Sequence, residues 1–222
     1  MVKEKRVLIT GASRGIGMAI AKALSAEGWE VVAPRRSELD LSVASSISAF
    51  TARKADYDSL INNAGINMVT AIDKAADKDI DEMMAVNLVA PIKLCRWATP
   101  AMALRGGGRI VNISSIFGIV SKEGRSLYSS TKFGINGLTK ALAVELGPKN
   151  ILVNSICPGY TDTELTRKNV SEADKKALIP RIPLRRFAKP EEIAGVAAFL
   201  ASDANTYITG QTIAVDGGFS SC

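Results

Sequence analysis

Short apolar runs alternate with helical stretches from one end of the chain to the other, and this alternation narrows the fold more than any other feature. Runs at residues 7–9, 30–34, 59–61, 109–114, 152–156 and 212–215 predict strands. Residues 15–27 predict a helix closed by Gly28, and further helices are expected over 42–54, 77–104 (bent near Pro91), 127–146 and 190–201. Strands separated by crossover helices imply a parallel sheet covered on both faces, with ligands bound beyond the carboxyl ends of the strands. No internal repeat, low-complexity tract or linker interrupts the pattern, so one domain is expected over residues 1–222. Residues 162–189 are irregular, charged and carry Pro180 and Pro183; they are read as a mobile lid over a substrate or as an exposed loop.

A hydrophobic content of 47% and a mean hydropathy of +0.13 suit a chain that buries a core. No apolar run approaches the roughly 18 residues of a membrane span; the longest covers 193–201. The opening MVKEKRVLIT has no long apolar region and no small-residue cleavage site, so no signal peptide is expected. Cys95, Cys157 and Cys222 form no CxxC pair, which fits a reducing, cytoplasmic setting, with Cys222 expected to be exposed and incidental. The absence of histidine excludes His-based triads and His-ligated metal sites, so acid–base chemistry falls to Tyr, Lys, Asp, Glu or Cys. A net charge of +6 and a pI near 9.3 permit an anionic ligand or merely a basic surface. Without an RNP-like aromatic pattern or zinc-finger spacing, nucleic acid is not an expected partner.

Between the first strand and first helix stands Thr10-Gly11-Ala12-Ser13-Arg14-Gly15-Ile16-Gly17. Backbone N–H groups and a helix N-terminus at such a junction suit a pyrophosphate, and the spacing TGxxxGxG is a variant of the dinucleotide turn. The second strand runs into Ala33-Pro34-Arg35-Arg36. An acid at that place would accept from a ribose 2′-OH, whereas a base accommodates a 2′-phosphate. Arg35 takes the acid's place and Arg14 lies in the turn, which favours NADP(H) over NAD(H), unless both are ordinary solvated arginines.

Tyr128 and Lys132, spaced Y-S-S-T-K, fall one turn apart on a helix. An ammonium held beside a phenol favours phenolate, so the Tyr128 pKa is expected to fall toward neutrality, where it would trade protons with an alcohol or carbonyl. Alone the pair is weak evidence, since YxxxK also arises on ordinary helix surfaces.

Taken together, these segments resemble the short-chain dehydrogenase/reductase family from Val7 to Phe219, closest in general pattern to its 3-oxoacyl-carrier-protein reductases. Residues 10–17 match the cofactor turn, and Asn62-Asn63-Ala64-Gly65 the NNAG segment. Asn87 matches the helix asparagine of the active site; Ser115 matches the catalytic serine better than Ser114 by its spacing to Tyr128; Tyr128 and Lys132 match the catalytic pair. Pro158-Gly159, followed by Thr161 and Thr163, matches the segment beside the nicotinamide, and Asp216-Gly217-Gly218 the C-terminal ending. The resemblance implies an α/β, single-domain, Rossmann-like doubly wound parallel sheet with helices on both faces. One departure stands out: between Arg36 and Asp58 the chain is shorter than is usual, and most of a helix is missing, although Asp40, followed by Leu41, still matches the acidic residue near the adenine.

The chemistry implied is hydride transfer between NADP(H) and a carbonyl, with no metal required. Tyr128 would act as general acid, Lys132 would tune it and hold the nicotinamide ribose, Ser115 would bind the substrate oxygen, and Asn87 would hold a water linking Lys132 to solvent. Candidate substrates are a 3-oxoacyl thioester, a sugar, or a small hydroxy or keto compound. An acidic carrier protein would find basic docking residues in Lys149, Arg105, Lys168, Arg181, Arg185 and Arg186. A non-catalytic NADP-binding sensor is the alternative of another class, disfavoured because Tyr, Lys and Ser are all kept; an extended-branch epimerase is disfavoured by the short C-terminal region. A homo-oligomer, tetramer or dimer, is expected through the long helices and the C-terminal segment.

Overall fold

A computed structural model describes residues 5–221; the expectations for Cys222 and for the first four residues of the opening segment lie outside the described residues. Aliphatic and β-branched residues build the strands. In β1 (Arg6–Ile9), Val7 and Ile9 point to one face and Leu8 to the other, and all three are fully buried. The chain continues through α1 (Gly15–Ala26), β2 (Glu30–Val32), α2 (Ala44–Thr51), β3 (Ser59–Asn62), α3 (Asp77–Met84), α4 (Ala90–Leu104), β4 (Gly108–Ile113), α5 (Ser126–Leu146) and β5 (Ile151–Pro158). Two short helices, α6 (Glu164–Asn169) and α7 (Glu172–Leu178), precede α8 (Pro190–Ala201) and β6 (Thr212–Val215).

The six strands form one parallel sheet in the order β2-β1-β3-β4-β5-β6, with Leu8 beside Leu60, Ile61 beside Val111 and Ile113 beside Ile156. On one face, Leu8, Leu60, Ile110 and Val153 pack with Leu94 and Met102 of α4 and Leu146 of α5. On the other, Val7, Ile9, Ile61 and Ile156 pack with Ile20 and Leu24 of α1 and Ile193, Ala197 and Leu200 of α8. The chain leaves β1 toward β2 on one side and returns to β3 on the other. Their carboxyl ends therefore flank a crevice at a topological switch point.

Three expectations change in detail, and the helix expected to be missing after β2 is indeed replaced by turns. The strand predicted at 30–34 ends at Val32, since Pro34 has no N–H to give a ladder. The helix predicted at 77–104 is interrupted at Ala85–Val89 by a π-helical turn that leads directly into Pro91 in the first turn of α4. Residues 33–43 contain only turns, with Leu39 and Leu41 buried against the core as anchors, so β2 stands as an edge strand. Residues 162–189 are not irregular throughout: Thr163 and Ser171 cap α6 and α7 by accepting from the N–H groups of Thr166 and Asp174.

Candidate active site

The turn after β1 is shaped by its glycines and clasped from behind. Gly11 (φ +67°) and Gly15 (φ +57°) take the left-handed conformation. At Gly17 a Cβ would stand 2.4 Å from both Asn63 Nδ2 and the Gly11 carbonyl oxygen. Asn63 Nδ2 donates to the Thr10 and Gly11 carbonyls (2.9 and 3.0 Å), while Thr10 Oγ1 accepts from the N–H groups of Asn63 and Ala64 (both 3.1 Å). Helix α1 opens with no side-chain cap and no acid in its first turn. Its first N–H groups thus lack intrachain acceptors and suit a phosphate.

This turn forms one end of a cavity of about 580 Å³. Each residue expected at a cofactor, from Gly11 through Thr163, lines it, as do Ser115, Tyr128 and Lys132. Its walls include Ser13, Ile16, Ala64 and Gly65, with Arg35, Arg36, Asp40 and Leu41 past the end of β2 and Pro158, Gly159 and Thr161 past the end of β5. Asn87 stands just behind the wall. A Cβ built on Gly65 would be 3.4 Å from Asn87 Oδ1 and 3.5 Å from Lys132 Nζ, so the two side chains converge on that glycine. Asn87 Oδ1 accepts from the Ile66 N–H (2.8 Å), and Nδ2 donates to the Ile66 carbonyl (2.8 Å) and to Thr131 Oγ1 (3.2 Å).

The arginines are less free than their sequence positions imply. Arg14 pairs with Glu164 (2.8 Å), and Arg36 pairs with Asp40 (2.9 Å). Asp40 also accepts from the Ser42 hydroxyl and N–H, and these bonds hold its carboxyl at about 2. Arg35 is in none of the ion pairs of the described residues; its backbone N–H donates to Glu38 (2.8 Å).

Ser115 and Tyr128 both line the cavity, the Ser115 side chain is close enough to act on the phenol, and Ser115 Oγ accepts from the Phe117 N–H (3.1 Å). Ser114 instead donates to the Lys132 carbonyl (3.1 Å), away from the phenol. Lys132 Nζ donates to the Ile113 carbonyl (2.9 Å) and sits 5.5 Å from the Tyr128 ring centre. The expected drop in the Tyr128 pKa is not what this arrangement produces. Burial pushes the phenol up to about 12, with Ser115 and Arg125 only partly offsetting it. Burial also brings the Lys132 ammonium down to about 8. Desolvation is the largest influence on the phenol, while Lys132 directs one ammonium N–H at a backbone oxygen.

Two of the expected docking residues lie at the wrong rim. Arg105 pairs with Asp56 and Asp58, just before β3, and Lys149 directly precedes β5. Both mark amino ends of strands, opposite the cavity. Sequence reasoning also passed over Asn67, Phe117, Arg125, Tyr160 and Glu164, all of which line the cavity. Arg125 carried the one usable signal: a charge three positions before Tyr128, with only Ser126 and Leu127 between them. Among the described residues, no helix is long and apolar enough to cross a membrane.

Comparison with known proteins agrees with this geometry. A family model described as short chain dehydrogenase matches residues 5–58, and one described as enoyl-(acyl carrier protein) reductase matches residues 38–220. The 3-oxoacyl-(acyl-carrier-protein) reductase of Rickettsia felis is 37% identical over 232 aligned positions, covering 96% of each chain. Those positions outnumber the 222 residues present here, so the relative carries a stretch this chain lacks. Among solved structures, 4-hydroxyisoleucine dehydrogenase complexed with NADH superposes with a TM-score of 0.92 (31% identity, 99% of this chain and 100% of that one). An Agrobacterium tumefaciens protein assigned as a 2-deoxy-D-gluconate 3-dehydrogenase, with bound NADP, superposes with a TM-score of 0.88 (33% identity, 100% and 98%). The chain belongs to the short-chain dehydrogenase/reductase family. It is accordingly an oxidoreductase working between CH–OH and C=O with a nicotinamide cofactor.

Proposed function

We propose that this protein is an NADP(H)-dependent oxidoreductase that reduces a carbonyl to an alcohol, reversibly, with Asn87, Ser115, Tyr128 and Lys132 as its catalytic residues. The observation that carries the reading is that Ser115, Tyr128 and Lys132 line one cavity whose far end is an uncapped helix N-terminus. When bound, the nicotinamide supplies or accepts the hydride. The first N–H groups of α1 and Ser13 hold the phosphates, Asp40 and Leu41 border the adenine, and residues 158–163 border the nicotinamide. Tyr128, protonated at neutral pH because it is buried, gives its proton to the substrate oxygen, and Ser115 donates to the same oxygen. Lys132 holds the ribose. Asn87 spends both its amide hydrogens on protein, so a proton-relay water is left the second lone pair of its Oδ1. Residues 162–189 act as the lid.

Tyr128→Phe is expected to lower kcat by at least about a thousandfold, with NADPH still bound as read by fluorescence. Near-normal turnover in that variant sinks the assignment. Binding of NADPH without turnover of any carbonyl by the wild type would favour a sensor instead.

Preference for NADP(H) rests on Arg35, which lies past the end of β2 without a carboxylate in ion-pair contact among the described residues. The Arg14–Glu164 and Arg36–Asp40 pairs weaken that support, and one neighbour was solved with NADH. Arg35→Glu is expected to cut the NADPH/NADH ratio of kcat/KM about a hundredfold; an unchanged ratio would return the choice to NAD(H). The name of the Rickettsia relative supports a 3-oxoacyl thioester, delivered by an acidic carrier protein. A sugar acid or small keto acid is the second reading, supported by a buried cation in the cavity wall and by the 2-deoxy-D-gluconate dehydrogenase among the neighbours. A cytoplasmic location and a homo-oligomer are part of the same proposal.

A further inference from the structure

Arg125 is a buried charge that the chemistry above does not use. It lines the cavity three positions before Tyr128, yet only 3% of its surface is exposed. Its Nη1 donates to Asn67 Oδ1 (2.7 Å), and its guanidinium lies 5.2 Å from the Phe117 ring centre. Its Nε is buried without an acceptor. None of the ion pairs of the described residues includes it. The charges and titratable groups acting on it are the phenols of Tyr128 and Tyr160, not a carboxylate. It also occupies the N-cap position of α5, where the helix dipole repels a cation and where its side chain makes no capping bond.

Burial, a missing counter-ion and the wrong helix end all oppose a guanidinium here. A neutral side chain could hold Asn67 without these costs, and a fold keeps such a conflict where a ligand resolves it. A second side chain shares the deficit. The Tyr160 hydroxyl is buried without a partner, and Tyr160 lines the same cavity with its ring 6.4 Å from that of Phe117. Two donors short of acceptors thus flank Phe117, whose ring is also 6.4 Å from that of Tyr128. The shared requirement is an anionic acceptor close to the phenol, and a planar fork suits a carboxylate.

We infer that Arg125, assisted by Tyr160, receives a carboxylate of the substrate, so that the enzyme acts on a small keto or hydroxy acid whose carboxylate is a few bonds from the reacting carbon. The inference rests on the carbonyl–alcohol reading above and selects within it. A 3-oxoacyl thioester carries no charge beside its ketone and leaves Arg125 unanswered. The Phe117 ring stands against the guanidinium, and the Asn67 bond takes up one of its donors, leaving the rest for the ligand.

The test compares matched pairs on the full chain with NADPH: acetoacetate against acetoacetamide, and levulinate against levulinamide. The ratio of kcat/KM for acid over amide is unaffected by any loss of folded protein. For at least one pair the wild type is expected to favour the acid about a hundredfold; Arg125→Gln should bring that ratio to within about threefold of unity, and Arg125→Lys should keep about tenfold. A wild type that treats both members of every pair alike overturns the inference, as does Arg125→Gln lowering both members equally. Calorimetric binding of succinate to the NADP⁺-loaded protein gives an independent reading. Weakening of at least about tenfold in Arg125→Gln and less in Tyr160→Phe is expected. Succinate bound through Arg125 with no carbonyl reduced would sustain the anion site while removing the catalytic reading; no dependence of binding on Arg125, in an enzyme that reduces neutral ketones, would do the reverse.

Discussion

Lys132 lies at the centre of the site with its ammonium buried and no carboxylate beside it. Its folded pKa near 8 lies below its ordinary 10.5, so between those values the unfolded chain binds more protons. Its contribution to stability therefore rises with pH through that window, and below pH 8 the charged, buried amine costs up to about 3 kcal/mol. Lys132→Met is expected to be inactive yet to melt above the wild type at pH 7, with the gap closing by pH 10; calorimetry of the cofactor-free protein measures this, and a constant gap would refute it. The residues of this centre were legible because Ser115, Tyr128 and Lys132 have a fixed spacing. Their protonation was not, because it depends on desolvation, which the third dimension supplies. Arg125 shows the same limit: a base ahead of a helix reads as solvated until the surrounding rings are seen.

The helical segment from 77 to 104 shows what periodicity misses among the elements. Apolar residues recur through it at helical spacing, so one helix bent near Pro91 was the expectation, yet Ala85–Val89 winds as a π turn. There the wider ring lets Asn87 reach both polar groups of Ile66 and so pin the strand-to-helix loop that carries Gly65. Asn87→Ala leaves the half-buried N–H and carbonyl of Ile66 without these partners, a loss of about 2–4 kcal/mol. The expected reading is a Tm lower by about 4–16 °C, together with weaker NADPH binding. A variant with wild-type Tm and affinity would show that the clamp is dispensable. Strands were easier to read than this turn, because fully buried parallel strands appear as continuous aliphatic runs such as that of β5.

For the whole molecule, the order of strands and helices was legible, and with it the rim on which ligands sit. Which charges share that rim was not, since Arg105 and Lys149 change sides only when strand direction is known. Surface association is similarly hidden. Along α5, Phe133 and Val144 are 49% and 79% exposed, three turns apart on one face, and a Cβ added at Gly137 between them would meet nothing within 4 Å. A helix face of this kind fits close approach by a second copy. Phe133→Glu combined with Val144→Glu is expected to reduce the mass found by light scattering to that of a smaller assembly; a wild type that is already monomeric at micromolar concentration would contradict the oligomer. The packing of α1 against α8 has a further consequence in biosynthesis. Ile20 and Leu24 leave the ribosome early, but Ile193, Ala197 and Leu200, which cover them, come last. The nascent chain must carry the part of that apolar face which α8 covers while all the residues between the two helices are made, which places chaperone dependence at the first helix rather than at the catalytic half.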